Sequence, residues 1–426
     1  VPKGDVSRQR GPQAQQGLLA VEKRSCFSVK DSSINFMLAL IVPFVASLAL
    51  IILFMFLASA TGNNYNDFIK TEFVEVVNLM FTPIVFFFIY FIYTKKFRFN
   101  VFEASQISFK VNPLKIVAVI IIGVASVFLI SPFISLVDYG FSLIGYNPAN
   151  SLPYVMNNGW RFVLGVIAMA VLPAICEELL FRGLIFRGLQ SKFSSHFAVL
   201  ISALMFTLLH GSLQQTVYQF MLGLMLGYVM LYGKNIIYPM LLHFVNNLIV
   251  VITSFVYTLN NIDVDAEPIY GTAWDYVYPI LMLILAAVIV VGAIYLVRYL
   301  DKQEQIKKNS LKVQNNNDKN ISNNQNADEQ NINDEDKNTS KPQTNNKKSK
   351  NKAIIVNENS IIESNKTENL NKTDNLKNSN EQTNEKFLNE DVNLELTKEE
   401  KIFVWCSIGL GLFLWITNTI MQFFGL

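Results

Sequence analysis

Residues 171–186 read VLPAICEELLFRGLIF, a stretch apolar enough for a bilayer yet interrupted by Glu177, Glu178 and Arg182. An ionised side chain at the centre of a membrane helix costs about 2.5–3.5 kcal/mol on insertion scales, so a helix that carries three has a use for them. The rest of the chain fixes the class. Of its 426 residues 51% are hydrophobic and 16% charged, and the apolar ones gather in runs near the length that takes an α-helix across a hydrocarbon core. The fold predicted is an all-α polytopic membrane protein, an eight-helix transmembrane bundle plus one appended transmembrane helix.

Nine spans are read, at 34–60, 73–94, 113–137, 159–181, 196–210, 215–232, 235–258, 274–298 and 402–425. They divide the chain into a polar N-terminal segment (1–33), an eight-helix body (34–300, with the polar motifs in 160–258), a linker (301–398) and the appended helix (402–426). The linker turns to Asn, Lys, Glu, Asp, Ser and Thr, a composition that buries too little to offset the entropy of ordering, and it is expected to be disordered and cytoplasmic. So long a tether imposes almost no geometry, and the last helix is expected to hang from the body without being built into its core. Lys95, Lys96, Arg98 and Lys110, then Arg187 and Lys192, then Lys234, and finally Arg298, Lys302, Lys307 and Lys308 fall in alternate connections, while Asp263, Asp265 and Glu267 follow the seventh span. Basic residues favour the cytoplasmic side, which places the N-terminus there.

Several classes are excluded or unsupported. A net charge of +2 and a pI near 8.2 give no field for nucleic acid. Cys26, Cys176 and Cys406 lie far apart, with neither a disulfide pattern nor metal-ligand spacing, and Cys176 is read as a packing residue. The segment up to Lys30 lacks the order of a signal peptide. Gly223 and Gly227 form a small-xxx-small pair that lets helices approach. Pro173 and Pro239 each lie four residues before a polar group, where a proline either opens the helix or is simply tolerated.

Three pairs carry the chemistry. Glu178 and Arg182 are spaced i, i+4 and meet on one helix face as an ion pair. Glu177 lies about 100° round the axis, free to face a cavity as a general base. His243 and Asn247 share a face at the same spacing and offer a ring N–H and an amide as convergent donors, while Phe206 sits one turn before His210. His196 opens its span among serines and is read as an interfacial residue. Two carboxylates, two histidines and an asparagine on three apolar helices read as a catalytic centre inside a membrane.

In this order, Glu177-Glu178-x-x-x-Arg182, Phe206-x-x-x-His210 and His243-x-x-x-Asn247 resemble the three signature motifs of the CPBP family, the type II CAAX prenyl endopeptidases and their bacterial relatives, some linked to bacteriocin processing or self-immunity. The resemblance implies an intramembrane endopeptidase in which Glu177 and His210 activate the attacking water and His243 and Asn247 bind the oxyanion. Glu178, Arg182 and Phe206 support them. No cofactor is favoured, zinc being the alternative; if a metal is present, Glu177, His210 and His243 are its ligands. The expected partners are membrane lipids and a peptide or membrane-anchored protein substrate, lipidated in the eukaryotic precedent, with no nucleic acid. The Asn, Lys and Ile bias points to a bacterial plasma membrane. The rival function is a non-proteolytic bacteriocin self-immunity or scaffold protein that has kept the site, and a proton-relay transporter is a third reading.

Overall fold

The structure, a computed structural model, describes residues 24–146, 154–262, 270–335 and 395–424, with the backbone alone from 316 to 335. The N-terminal residues 1–23, the acidic residues Asp263, Asp265 and Glu267, and linker residues 336–394 lie outside the described residues. Nine principal helices are described: α1 (Val29–Ala60), α2 (Glu72–Lys96), α3 (Pro113–Ser142), α4 (Gly159–Leu189), α5 (Ser195–His210), α6 (Leu213–Gly233), α7 (Ile237–Leu259), α8 (Ala273–Glu335) and α9 (Lys398–Phe424). Eight of them are long and apolar enough to cross a membrane, and α5, at 16 residues, is a shorter apolar helix. The chain is an integral, multi-pass membrane protein.

Two compact units divide it, residues 1–302 with 393–426, and residues 303–392. In the first, α1 begins at Val29, ahead of the start expected at 34, because Ser28 and Asp31 form a capping box that satisfies the first free N–H groups. Asp31 is further held by Arg24 at 3.0 Å and by the Tyr93 hydroxyl at 2.6 Å, which ties α1 to α2. The described part of the second unit is helical. α8 runs unbroken to Glu335, into the segment expected to be disordered from 301, and no Gly or Pro occurs between 303 and 335 to stop it.

Among the described residues the body packs four buried clusters, of which two are large. One joins α1, α2, α4 and α5 around Phe36, Phe181, Phe186 and Phe206, and the other joins α3, α6, α7 and α8 around Ile122, Leu226 and Leu242. Gly223 and Gly227 are where α6 meets α5: a Cβ at Gly223 would stand 3.0 Å from Ala203 Cα, and one at Gly227 would stand 2.8 Å from Val199. Cys176 is buried in the first cluster.

The last helix corrects an expectation. α9 is part of the core, with Val404, Ser407 and Ile408 buried against the body and Gly411 against Leu208 and Phe36. Lys30 and Lys192 pair with Glu399 and Glu400 at its start, at 3.6 and 3.9 Å. A long connection leaves docking undetermined but does not prevent it; the small and apolar face of the helix supplies the attraction.

Candidate active site

Helix α4 carries the carboxylates, and its geometry departs from an ordinary α-helix on both sides of them. Residues Val166–Val171 and Leu179–Phe186 are π-helical, flanking the α-helical turn Leu172–Glu178. Wide turns of this kind cost hydrogen-bond quality and recur at functional sites. Pro173 contributes, since it has no N–H for the carbonyl four residues earlier, that of Met169. Asn247 Nδ2 donates to that same carbonyl at 3.0 Å. Pro239 does something different: it is the third residue of α7, inside the first turn, where its missing N–H has no helical partner to lose.

Glu178 is fully buried, and one of its oxygens, Oε1, accepts from Arg182 Nη1 at 3.0 Å and from His243 Nδ1 at 2.9 Å. A carboxylate oxygen can only accept here, so His243 carries its proton on Nδ1 and turns Nε2 away from Glu178. Arg182, also fully buried, donates from Nη2 to the Gly223 carbonyl at 3.2 Å and stacks its guanidinium 4.5 Å above the Phe206 ring. Glu178 is therefore more than the structural ion pair its spacing suggests. It joins the arginine to a histidine on another helix.

Glu177 is placed apart from this pairing. It is 9% exposed, its Oε2 is buried without a hydrogen-bond partner among the described residues, and it lies within electrostatic reach of His243, Glu178 and Arg182. His210 is the last residue of α5. Its Nδ1 donates to the Phe206 carbonyl at 2.8 Å, which leaves Nε2 as the open atom of the ring. The Phe206 ring packs edge-on against both histidines, at centroid distances of 4.7 Å to His210 and 6.0 Å to His243. Phe206 thus spaces the two rings and covers the arginine. His196 stands away from them, at 3.3 Å from the Tyr228 hydroxyl.

Asn247 stands one turn beyond His243 on α7 and bonds the backbone of α4. Its Oδ1 accepts from Asn246 Nδ2 at 3.1 Å, and with one amide hydrogen given to Met169 it retains a second. Asn246 in turn accepts from Ser126 at 3.2 Å and from the Tyr218 hydroxyl. This chain of Tyr218, Ser126 and Asn246 is absent from the sequence reading, although a second buried amide beside Asn247 in an apolar helix was a visible signal. Such a fully connected network fixes an amide's orientation in a medium with no water to compete.

Among the described residues no group of three or more His, Cys, Asp or Glu side chains is arranged to hold a metal ion. Glu178 Oε1 is already held by both Arg182 and His243.

Residues 159–249 match the family described as Type II CAAX prenyl endopeptidase Rce1-like. This segment is an Rce1-like domain. It contains Glu177, Glu178, Arg182, Phe206, His210, His243 and Asn247, that is, all three motifs, while Ser126 of the network behind Asn247 lies outside it. The fold around the domain is likewise that of a helical membrane protein, and a protease of the CAAX type is the activity the family supports. No curated protein and no solved structure matches the chain. Helix α9 and the segment before it lie outside the Rce1-like domain.

Proposed function

We propose that the protein is an intramembrane endopeptidase and that Glu177 is its general base. The observation that carries this is the contrast between the adjacent carboxylates: Glu178 is committed through Oε1 to both Arg182 and His243, its Oε2 being free, while Glu177 is buried beside them and makes no hydrogen bond or ion pair among the described residues. A group so placed can take a proton at no cost to a salt bridge. In the reaction, Glu177 and His210 Nε2 hold a water, Glu177 accepts a proton as the water oxygen attacks the peptide carbonyl, and the carbonyl oxygen becomes an oxyanion. His243 Nε2, when the ring carries both protons, and the second amide hydrogen of Asn247 donate to that oxyanion. Preorganised donors of this kind contribute about 3–4 kcal/mol each when aimed at developing charge. Collapse of the intermediate breaks the C–N bond, and the proton held by Glu177 passes to the leaving amine.

Charge balance supports the scheme. Arg182 offsets Glu178 within the site, which leaves Glu177 as the carboxylate whose negative charge is removed as it takes the proton and the oxyanion forms, so the net charge of the site is unchanged through the step. The substrate is a peptide or membrane-anchored protein. The test is Glu177→Gln, which keeps the side-chain shape. Purified protein should lose cleavage of farnesylated and unmodified test peptides while keeping its helix content and melting temperature, and undiminished turnover would remove Glu177 from the mechanism.

A further inference from the structure

Helix α9 faces the body at Val404, Ile408, Gly411, Trp415, Asn418 and Gln422, in alternating steps of four and three, the first three buried and Asn418 and Gln422 exposed outside their hydrogen bonds. That repeat is the one by which a helix keeps one face against a partner. Its outer half changes character from apolar to hydrogen-bonding, and its polar members converge on the turn that follows His210. Asn418 Nδ2 donates to the carbonyl of Gly211. Trp415 Nε1 donates at 3.1 Å to the Thr216 hydroxyl, which itself donates at 2.6 Å to the carbonyl of Ser212. Gln422 anchors the far end by accepting from Tyr146 at 2.8 Å.

The turn needs such support. His210 ends α5, Gly211 takes the left-handed conformation at φ +59°, and Ser212 caps α6 through the N–H of Gln215. Two carbonyls at a helix end in an apolar medium are costly unless given donors. The Gly211 carbonyl receives its donor from Asn418, 207 residues later in the chain, and the Ser212 carbonyl receives its donor from the Thr216 hydroxyl of α6, which Trp415 holds in place. The side of Gly211 facing α9 is also filled, since a Cβ there would lie 3.1 Å from Asn418 Nδ2.

The geometry points to Asn418 and Trp415 as positioning residues for His210: α9 completes the catalytic site by fixing the Gly211–Ser212 turn from outside the Rce1-like domain. This rests on the role given to His210 above. An asparagine on a membrane helix then has a local reason to exist, and the ring of His210 is held between two supports, the Phe206 carbonyl on its own helix and the turn clamped by α9. A turn that relaxes by about 1 Å carries the ring with it, and displacements of that size cost on the order of a hundredfold in rate.

The experiment uses the full chain. Asn418→Leu preserves size and suits a bilayer, and Asn418→Gln keeps the amide. With Asn418→Leu, kcat should fall at least about tenfold with KM little changed, and Asn418→Gln should recover part of the loss. Carbethoxylation of His210 by diethyl pyrocarbonate, read by mass spectrometry, should change severalfold in the leucine variant while that of His196 stays constant. Docking is checked separately by oxidising a Leu208→Cys, Gly411→Cys pair in a chain carrying a protease site between 336 and 394, where the C-terminal fragment should remain attached after cleavage. Parent-like turnover and unchanged His210 reactivity in Asn418→Leu would overturn the inference, as would loss of the fragment from the oxidised pair. A fully active Glu177→Gln would instead sink the proposed chemistry and leave the altered reactivity of His210 standing.

Discussion

Replacing Arg182 by methionine removes a buried cation while filling most of its volume, and the structure sets out what is lost. Glu178 keeps one charge-assisted bond, to His243, and loses the one to Nη1 at 3.0 Å; Gly223 loses its donor, and Phe206 loses the guanidinium 4.5 Å above its face. Both members of the pair are fully buried, so water cannot take over. Removing one partner of such a pair typically costs about 3–5 kcal/mol, a large share of the roughly 5–15 kcal/mol that holds most proteins folded. The expected result is poor yield and an apparent melting temperature lowered by roughly 10 °C, measured by fluorescence-detected size exclusion in detergent after a heating series. Adding Glu178→Gln removes the stranded charge and should restore most of the stability, because replacing both members of a buried pair is often nearly neutral. Activity should not return with it, since a neutral amide is a weaker acceptor for His243 Nδ1 than the carboxylate and holds the ring less firmly. A single Arg182→Met variant as stable as the parent but inactive would show that Arg182 acts in the chemistry and not in holding the fold.

Other outcomes follow from the same geometry. Asn247→Ala should lower kcat about a hundredfold or more, by loss of an oxyanion donor, with a modest fall in melting temperature as the Met169 carbonyl loses its partner. Tyr218→Phe should weaken turnover less, about tenfold, since it loosens Asn246 and reaches Asn247 only through it; equal defects in the two variants would contradict that order. Deletion of 395–426 should reduce yield and melting temperature because it uncovers Phe36 and Leu208, and a truncated chain that is parent-like in both would show α9 to be dispensable. Activity should survive exhaustive chelation, with zinc by plasma emission well below one per chain, because Asn247 is a poor zinc ligand and Glu178 is already held by Arg182 and His243; inactivation by chelator with rescue by stoichiometric zinc would refute this.

Much of the site was legible because i, i+4 spacing survives packing. Glu178 with Arg182, and Phe206 with His210, meet as their positions in the chain require. The spans were legible for the same elementary reason, length and hydropathy. What escaped is what depends on a second helix. Nothing in the neighbourhood of Glu178 says that His243, 65 residues on, will share its oxygen. The π-helical turns around residues 172–178 also left no periodic mark, since a single wide turn shifts a pattern by less than the spread of residues that tolerate it. The docking of α9 was hidden by its connection: a tether carries no information about where its far end lands, and in a helix that lipid also surrounds, the apolar seam and the lipid face look alike. Only Asn418 and Gln422, one turn apart and polar, hinted at a protein partner.

The support that α9 gives the Gly211 turn also bears on biogenesis. Ribosomes make a chain from its amino end at about 5–20 residues per second, so α9 follows the completion of α5 by roughly 10–40 s. During that interval the groove formed by α1 and α5 has no occupant from its own chain, and the carbonyl of Gly211 lacks the donor it will finally have. Order of synthesis and order of assembly are then coupled, with the polar centre built early and its outer brace arriving last. A nascent chain arrested before residue 395 would carry every motif of the Rce1-like domain and still lack the contacts that hold His210 in place.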